Sequence, residues 1–174
     1  DDTLPGVRCE AEARTVAVVG LGGVGLASVL GAEASGVRAL VAIDLSDDKL
    51  ALAASLGATH TFNAADPDLV QKVRDATKGG VDYAVEMAGS VRAFETAYRI
   101  TRRGGTTITA GLPPPSATWS MPSTNLVAEE RTIKGSYIGT CVPARDVRRY
   151  IDLYRQGKLA VNRLLTARLT LDQI

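Results

Sequence analysis

The sequence predicts an α/β fold, a doubly wound six-stranded parallel sheet with helices on both faces. Three observations predict it. Short β-branched apolar runs recur along the chain, apolar on both faces as strands of a buried parallel sheet are. Helix-compatible stretches separate them, several opened by Ser or Asp and closed by Gly. The first apolar run also ends in a glycine-rich loop that opens a helix. Such alternation favours right-handed crossovers, with helices packed above and below one sheet.

Taken in order, residues 1–14 are a polar, irregular lead-in, and residues 15–174 form the domain. Thr15–Val19 is the first strand, and Gly23 to about Ser35 a helix that Gly36 ends. Arg38–Asp44 is the second strand. Ser46 caps a helix that carries acids in its first turn and stops at Gly57. His60–Asn63 is a short third strand. Asp66-Pro67 then opens a helix to about Thr77, with proline in the first turn. Val81–Ala88 is the fourth strand. Val91–Arg102 is helical, with Phe94, Ala97, Tyr98 and Thr101 at i, i+3, i+4, i+7 spacing. Gly105–Gly111 is the fifth strand and Thr132–Ile138 the sixth. The proline-rich stretch from Leu112 to Ser123 is a loop, in which Trp119–Met121 is either a short edge strand or loop packing. Asp146–Gln156 is a last helix, and Thr166–Leu169 a short strand in the tail.

Composition bounds the function. Net charge is +1 with no basic cluster, so neither nucleic acid nor a membrane surface is expected as a partner. No apolar run approaches the roughly 20 residues of a membrane span, and the first residues lack the regions of a signal peptide. Two cysteines, Cys9 and Cys141, are too few for a disulfide framework and fit a reducing cytoplasm.

The chemistry sits in Gly20-Leu21-Gly22-Gly23-Val24-Gly25. A Gly-x-Gly-x-x-Gly match alone is weak, but this one follows a buried strand and opens a helix. Gly20 permits the tight turn, Gly22 lets the backbone approach a pyrophosphate, and Gly25 lets helix and sheet lie close. Free N–H groups at the helix start carry partial positive charge toward the phosphates. Asp44 ends the second strand, 19 residues after Gly25, where an acid accepts hydrogen bonds from the adenosine ribose. A carboxylate there repels a 2′-phosphate, so NAD is expected over NADP. Lys49 is either a second ribose contact or a solvated helix lysine. The sequence therefore predicts an NAD-binding Rossmann domain.

Catalytic groups are not evident, and no catalytic residue or metal ligand is assigned. The single histidine, His60, has no carboxylate or cysteine nearby in sequence and reads as structural. Glu86 reads as a satisfied polar group rather than a general base. A Tyr-x-x-x-Lys pair is missing, and no His/Cys cluster has zinc spacing.

Several segments, in order, resemble the coenzyme domain of zinc-dependent alcohol dehydrogenases of the medium-chain dehydrogenase/reductase family. They are Val18–Leu26, Ile43-Asp44 with Asp48-Lys49-Leu50, Leu56-Gly57-Ala58-Thr59-His60, Val81-Asp82-Tyr83, Glu86 with Gly89, Arg103-Gly104-Gly105-Thr106, and Glu130–Tyr137. The resemblance covers about Thr15 to Ile174. It implies that Gly22, Gly23 and Val24 contact the pyrophosphate and that Asp44 and Lys49 meet the ribose. It places Ala88 near the cofactor, and Ala110, Leu112, Ser136 and Ile138 around the nicotinamide. It also implies a homo-oligomer paired through the sheet edge, with Trp119–Met121 as candidate. The family's zinc ligands lie well before the glycine loop in a separate domain, and no Gly-His-Glu occurs here. The resemblance thus implies an NAD(H)-binding part of a zinc-containing, hydride-transferring alcohol dehydrogenase, with the catalytic domain as missing partner and no activity alone. The alternatives are a non-catalytic nucleotide-sensing module and a methyltransferase binding S-adenosylmethionine.

Overall fold

The computed structural model of the protein describes residues 14–121 and 123–173. Six strands, β1 (Thr15–Val19), β2 (Ala39–Asp44), β3 (His60–Asn63), β4 (Val81–Glu86), β5 (Thr101–Thr109) and β6 (Thr132–Gly135), form one sheet. Every neighbouring pair is parallel, in the order β3-β2-β1-β4-β5-β6. The helices are α1 (Gly23–Ala34), α2 (Asp47–Ser55), α3 (Leu69–Ala76), α4 (Val91–Ile100), α5 (Ser123–Ala128) and α6 (Pro143–Arg155).

The two-sided burial of β1 and β2 creates the two layers. Ala17, Val19, Val41 and Ile43 face Leu69 and Val73 of α3 and Ala97 and Ile100 of α4. Val18, Leu40 and Ala42 face Leu26, Val29 and Leu30 of α1 and Leu50 and Ala53 of α2. Each Val, Leu or Ile side chain so buried contributes about 1.5–3 kcal/mol. That outweighs the roughly 0.5–1 kcal/mol by which each glycine in α1 disfavours a helix relative to alanine. The turn Val161–Leu164 lays Leu164 on the α1 side of the core. No helix among the described residues is long and apolar enough to cross a membrane.

Several boundaries differ from the sequence reading. Trp119–Met121 is not a strand. Trp119 packs edge-on against Phe94 at 4.7 Å and Tyr98 at 5.2 Å between ring centroids, so packing on α4 decides its conformation. The edge on that side of the sheet is β6. α3 starts at Leu69, not at Pro67. Asp66 Oδ1 accepts from Asp68 N at 2.9 Å and holds residues 66–68 in a turn. α4 ends at Ile100, where the Thr101 hydroxyl donates to Ala97 O and the chain turns into β5. β4 and β6 stop short, at Glu86 and Gly135. α6 begins at Pro143, a residue suited to a first helical turn, while the Asp146 carboxylate accepts from Val142 N at 2.7 Å. Residues 166–169 are irregular, and α5 was not foreseen. Cys9 lies outside the described residues.

Candidate nucleotide site

In open parallel sheets, ligands bind outside the carboxyl ends of strands where the chain order reverses. Here β1 and β4 flank that point, with β2 and β3 built outward on one side and β5 and β6 on the other. Gly20 leaves β1 with φ +93°, a left-handed conformation suited to glycine, and its N–H donates to Ile43 O at 2.8 Å. A Cβ at Gly20 would lie 2.7 Å from Ala88 N, and one at Gly25 only 1.8 Å from Gly20 O. Gly25 is required by the crossing of α1 over the β1 turn, and Gly20 by the close approach of the turn after β4. Gly22 and Gly23 differ, since nothing of the protein lies within 4 Å of their Cβ positions. They leave an open cradle at the start of α1, whose first turn has no side-chain cap and no acidic residue.

Asp44, its side chain 12% exposed, stands across that cradle. Its Oδ2 accepts from Leu21 N at 2.7 Å and its Oδ1 from Ser46 N at 3.0 Å. Lys49 Nζ lies 3.9 Å from Oδ1. One lone-pair direction on each oxygen remains for a further donor. Beside it lies a cleft of 140 Å³, walled by Val19, Gly20, Ile43, Ala88 and Ala93, with Asp44 and Arg92 at its polar rim.

The structure therefore brings Gly20, Asp44 and Ala88 into one cleft and sets Gly22, Gly23, Val24 and Gly25 at the adjoining helix start. Ala110, Leu112, Ser136 and Ile138 do not line that cleft. They follow β5 and β6 on the same carboxyl edge. Ala110 N donates to Glu86 O at 3.0 Å and Ser136 N to Thr109 O at 2.8 Å, Leu112 is exposed, and Ile138 opens a short 3₁₀ turn.

Between the two groups sits an arrangement the sequence reading did not assemble. The buried Glu86 carboxylate accepts from Gly89 N at 2.6 Å and from the Thr109 hydroxyl at 2.7 Å. A Cβ at Gly111 would meet Gly89 N at 2.2 Å. Glu86 thus ties the end of β4 to that of β5, and two glycines let the turns touch. The pairing of Glu86 with Gly89 was the visible signal. Ser90 and Arg92, also missed, border the cleft as the cap and first turn of α4.

At the opposite end of the sheet, Asp82 accepts from Thr15 N, the Thr15 hydroxyl and Arg102. Burial pushes its carboxyl up, but the Thr15 amide and Arg102 outweigh this and hold it at about 2. That cluster fastens β1, β4 and β5 away from the crevice.

The open glycine cradle, the uncapped helix start and the half-used Asp44 carboxylate fit a dinucleotide diphosphate and its ribose. Zinc does not fit the described residues, for no group of three His, Cys, Asp or Glu side chains lies together. His60 Nδ1 instead meets the Thr59 hydroxyl at 2.8 Å.

The fold and crevice together define a Rossmann domain of the kind found in nicotinamide-dependent oxidoreductases. Residues 23–156 match the family model described as zinc-binding dehydrogenase, and the chain belongs to that family. It is 32% identical over 163 residues to alcohol dehydrogenase 1 of Trifolium repens, covering 92% of this chain and 43% of that protein. A zinc-binding-domain alcohol dehydrogenase protein of Burkholderia ambifaria superposes with a TM-score of 0.85 at 29% identity, over 92% of this chain and 46% of that one. A zinc-binding dehydrogenase of Sinorhizobium meliloti 1021, solved bound to NADP, gives 0.79 at 26% identity, over 90% and 48%. The chain spans less than half the length of these relatives.

Proposed function

We propose that the chain binds NAD(H) and orients it for hydride transfer between an alcohol and its carbonyl partner in a longer zinc-containing dehydrogenase. The observation that carries this is the Asp44 carboxylate facing an uncapped helix start across an open glycine cradle. The amides of Gly22, Gly23 and Val24 receive the diphosphate, and Gly20 and Gly25 fix the turn beneath it. Asp44 accepts from the adenosine ribose hydroxyls and disfavours a 2′-phosphate, with Lys49 beside it. Ala88 walls the adenosine cleft. Ala110, Leu112, Ser136 and Ile138 border the nicotinamide end. When bound, the nicotinamide supplies the hydride acceptor or donor.

The chain alone is inactive toward alcohols, and its catalytic partner domain lies in the longer protein. Copies pair through the outer edge of β6, which ends the sheet on that side and is chemically ready to extend. The paucity of cysteine suits the cytoplasm.

Isothermal titration with NADH and NADPH tests the reading. NADH binds the more tightly, and Asp44→Ser narrows the ratio. An unchanged NADH preference in that variant removes the role given to Asp44, and alcohol turnover by the pure chain removes the division of labour.

A further inference from the structure

The amide of Leu21, in the middle of the glycine loop, is directed at Asp44. Leu21 N donates to Asp44 Oδ2 at 2.7 Å, while Oδ1 accepts from Ser46 N at the start of α2. The carboxylate therefore braces the loop against the β2–α2 turn. Gly20 is held by its N–H bond to Ile43 O and by Ala88, and Gly22 O by Leu26 N, but the stretch between them has little side-chain packing beyond that of Leu21. Three of residues 20–23 are glycine, and no protein atom lies within 4 Å of the Cβ positions at Gly22 and Gly23. The rival restraint is the fully buried Leu21 side chain, which packs with Val18 and Leu26.

We propose that Asp44 is a positioning residue for the phosphate-receiving loop as well as the acceptor for the ribose: its carboxylate fixes the Leu21 peptide and thereby the shape of the cradle. This rests on the dinucleotide reading above. Ribose selection and diphosphate affinity are then coupled through one side chain, and exchanging it to admit NADP also loosens the grip on phosphate. The geometry allows both roles, because each oxygen uses one lone-pair direction on the backbone and keeps one for a sugar hydroxyl.

The sign of one effect separates positioning from simple electrostatics. Removing a carboxylate near a diphosphate site lessens repulsion, so charge alone predicts tighter binding of a ligand that cannot use the ribose contact. Loss of the brace predicts weaker binding. The probes are ADP and 2′,3′-dideoxy-ADP, titrated into the 174-residue chain and its Asp44→Ala and Asp44→Asn variants. In Asp44→Ala, dideoxy-ADP affinity falls several-fold. In Asp44→Asn, whose single oxygen serves either the Leu21 or the Ser46 amide, the fall is smaller, because part of the brace survives. Hydrogen exchange of the Leu21 amide, read without ligand, quickens about tenfold or more in Asp44→Ala and by less in Asp44→Asn. Dideoxy-ADP affinity that is equal or higher in Asp44→Ala, or Leu21 exchange that does not change, overturns the proposal. If the wild-type chain binds neither ADP nor NADH, the dinucleotide reading fails instead, and the Leu21 exchange rates still decide whether the brace exists. Thermal unfolding of each variant separates loosening of the loop from loss of the fold.

Discussion

The glycines of the loop divide into two kinds, and alanine substitutions should separate stability from binding. At Gly25 a methyl carbon would stand 1.8 Å from Gly20 O and 2.9 Å from Gly20 C. An ordinary contact is at least about 3.4 Å, so α1 must lift from the β1 turn by more than 1 Å, against backbone that cannot rotate away. Overpacking of this kind costs about 2–4 kcal/mol. In a domain of this size that lowers Tm by roughly 4–16 °C at about 2–4 °C per kcal/mol. At Gly22 the methyl meets nothing of the protein. Gly22→Ala therefore changes stability by about 1 kcal/mol or less, the difference between glycine and alanine at a helix cap. It should nonetheless weaken NADH binding tenfold or more, because the methyl occupies the space proposed for the diphosphate. Urea unfolding and NADH titration of Gly25→Ala and Gly22→Ala read the two effects. A Gly25→Ala protein as stable as wild type refutes the close-packing argument. Normal NADH affinity in Gly22→Ala refutes the placement of the diphosphate.

Three further outcomes are expected. Gly23→Ala, in open space and inside α1, should raise stability by up to about 1 kcal/mol on helix propensity alone while weakening NADH, which the same two measurements check. Asp82 is depressed to about 2 from an ordinary 3.8, so its contribution is fully present above pH 4 and is lost as pH falls toward 2; with solvent screening of the exposed Arg102 it amounts to about 1 kcal/mol. The acid limb of the stability–pH curve should accordingly flatten in Asp82→Asn, and an unaltered limb would count against the cluster. Trp119→Ala removes two aromatic edge contacts and should cost about 1–3 kcal/mol while freeing the 112–121 segment to protease. Trp119 is the only tryptophan, so wild-type fluorescence reports on that segment without ambiguity.

Much of this was legible because the signals are local. Runs such as Ala39–Asp44 are apolar on both faces only if helices cover both, and the core clusters show that they do. Glycine after β1 and acid at the end of β2 mark strand ends, which register cannot slide without exposing Val19 or Ile43. Where the reading slipped, a distant partner decided. Trp119 has the composition of an edge strand, but Phe94 and Tyr98 of α4 hold it as a loop. Thr101 fits the helical spacing of α4, yet its hydroxyl caps that helix and its backbone pairs with Val81.

The chain's own pattern determined which segments are strands or helices and where the glycine loop opens a helix, because hydrophobic period and glycine conformation act within a few residues. The order β3-β2-β1-β4-β5-β6 is a property of the assembled sheet. That order alone brings Gly20, Asp44 and Ala88 to one cleft and lays Glu86 against Thr109. Such neighbours are separated by more than twenty residues in the chain, and only the packing of layers fixes which of them meet.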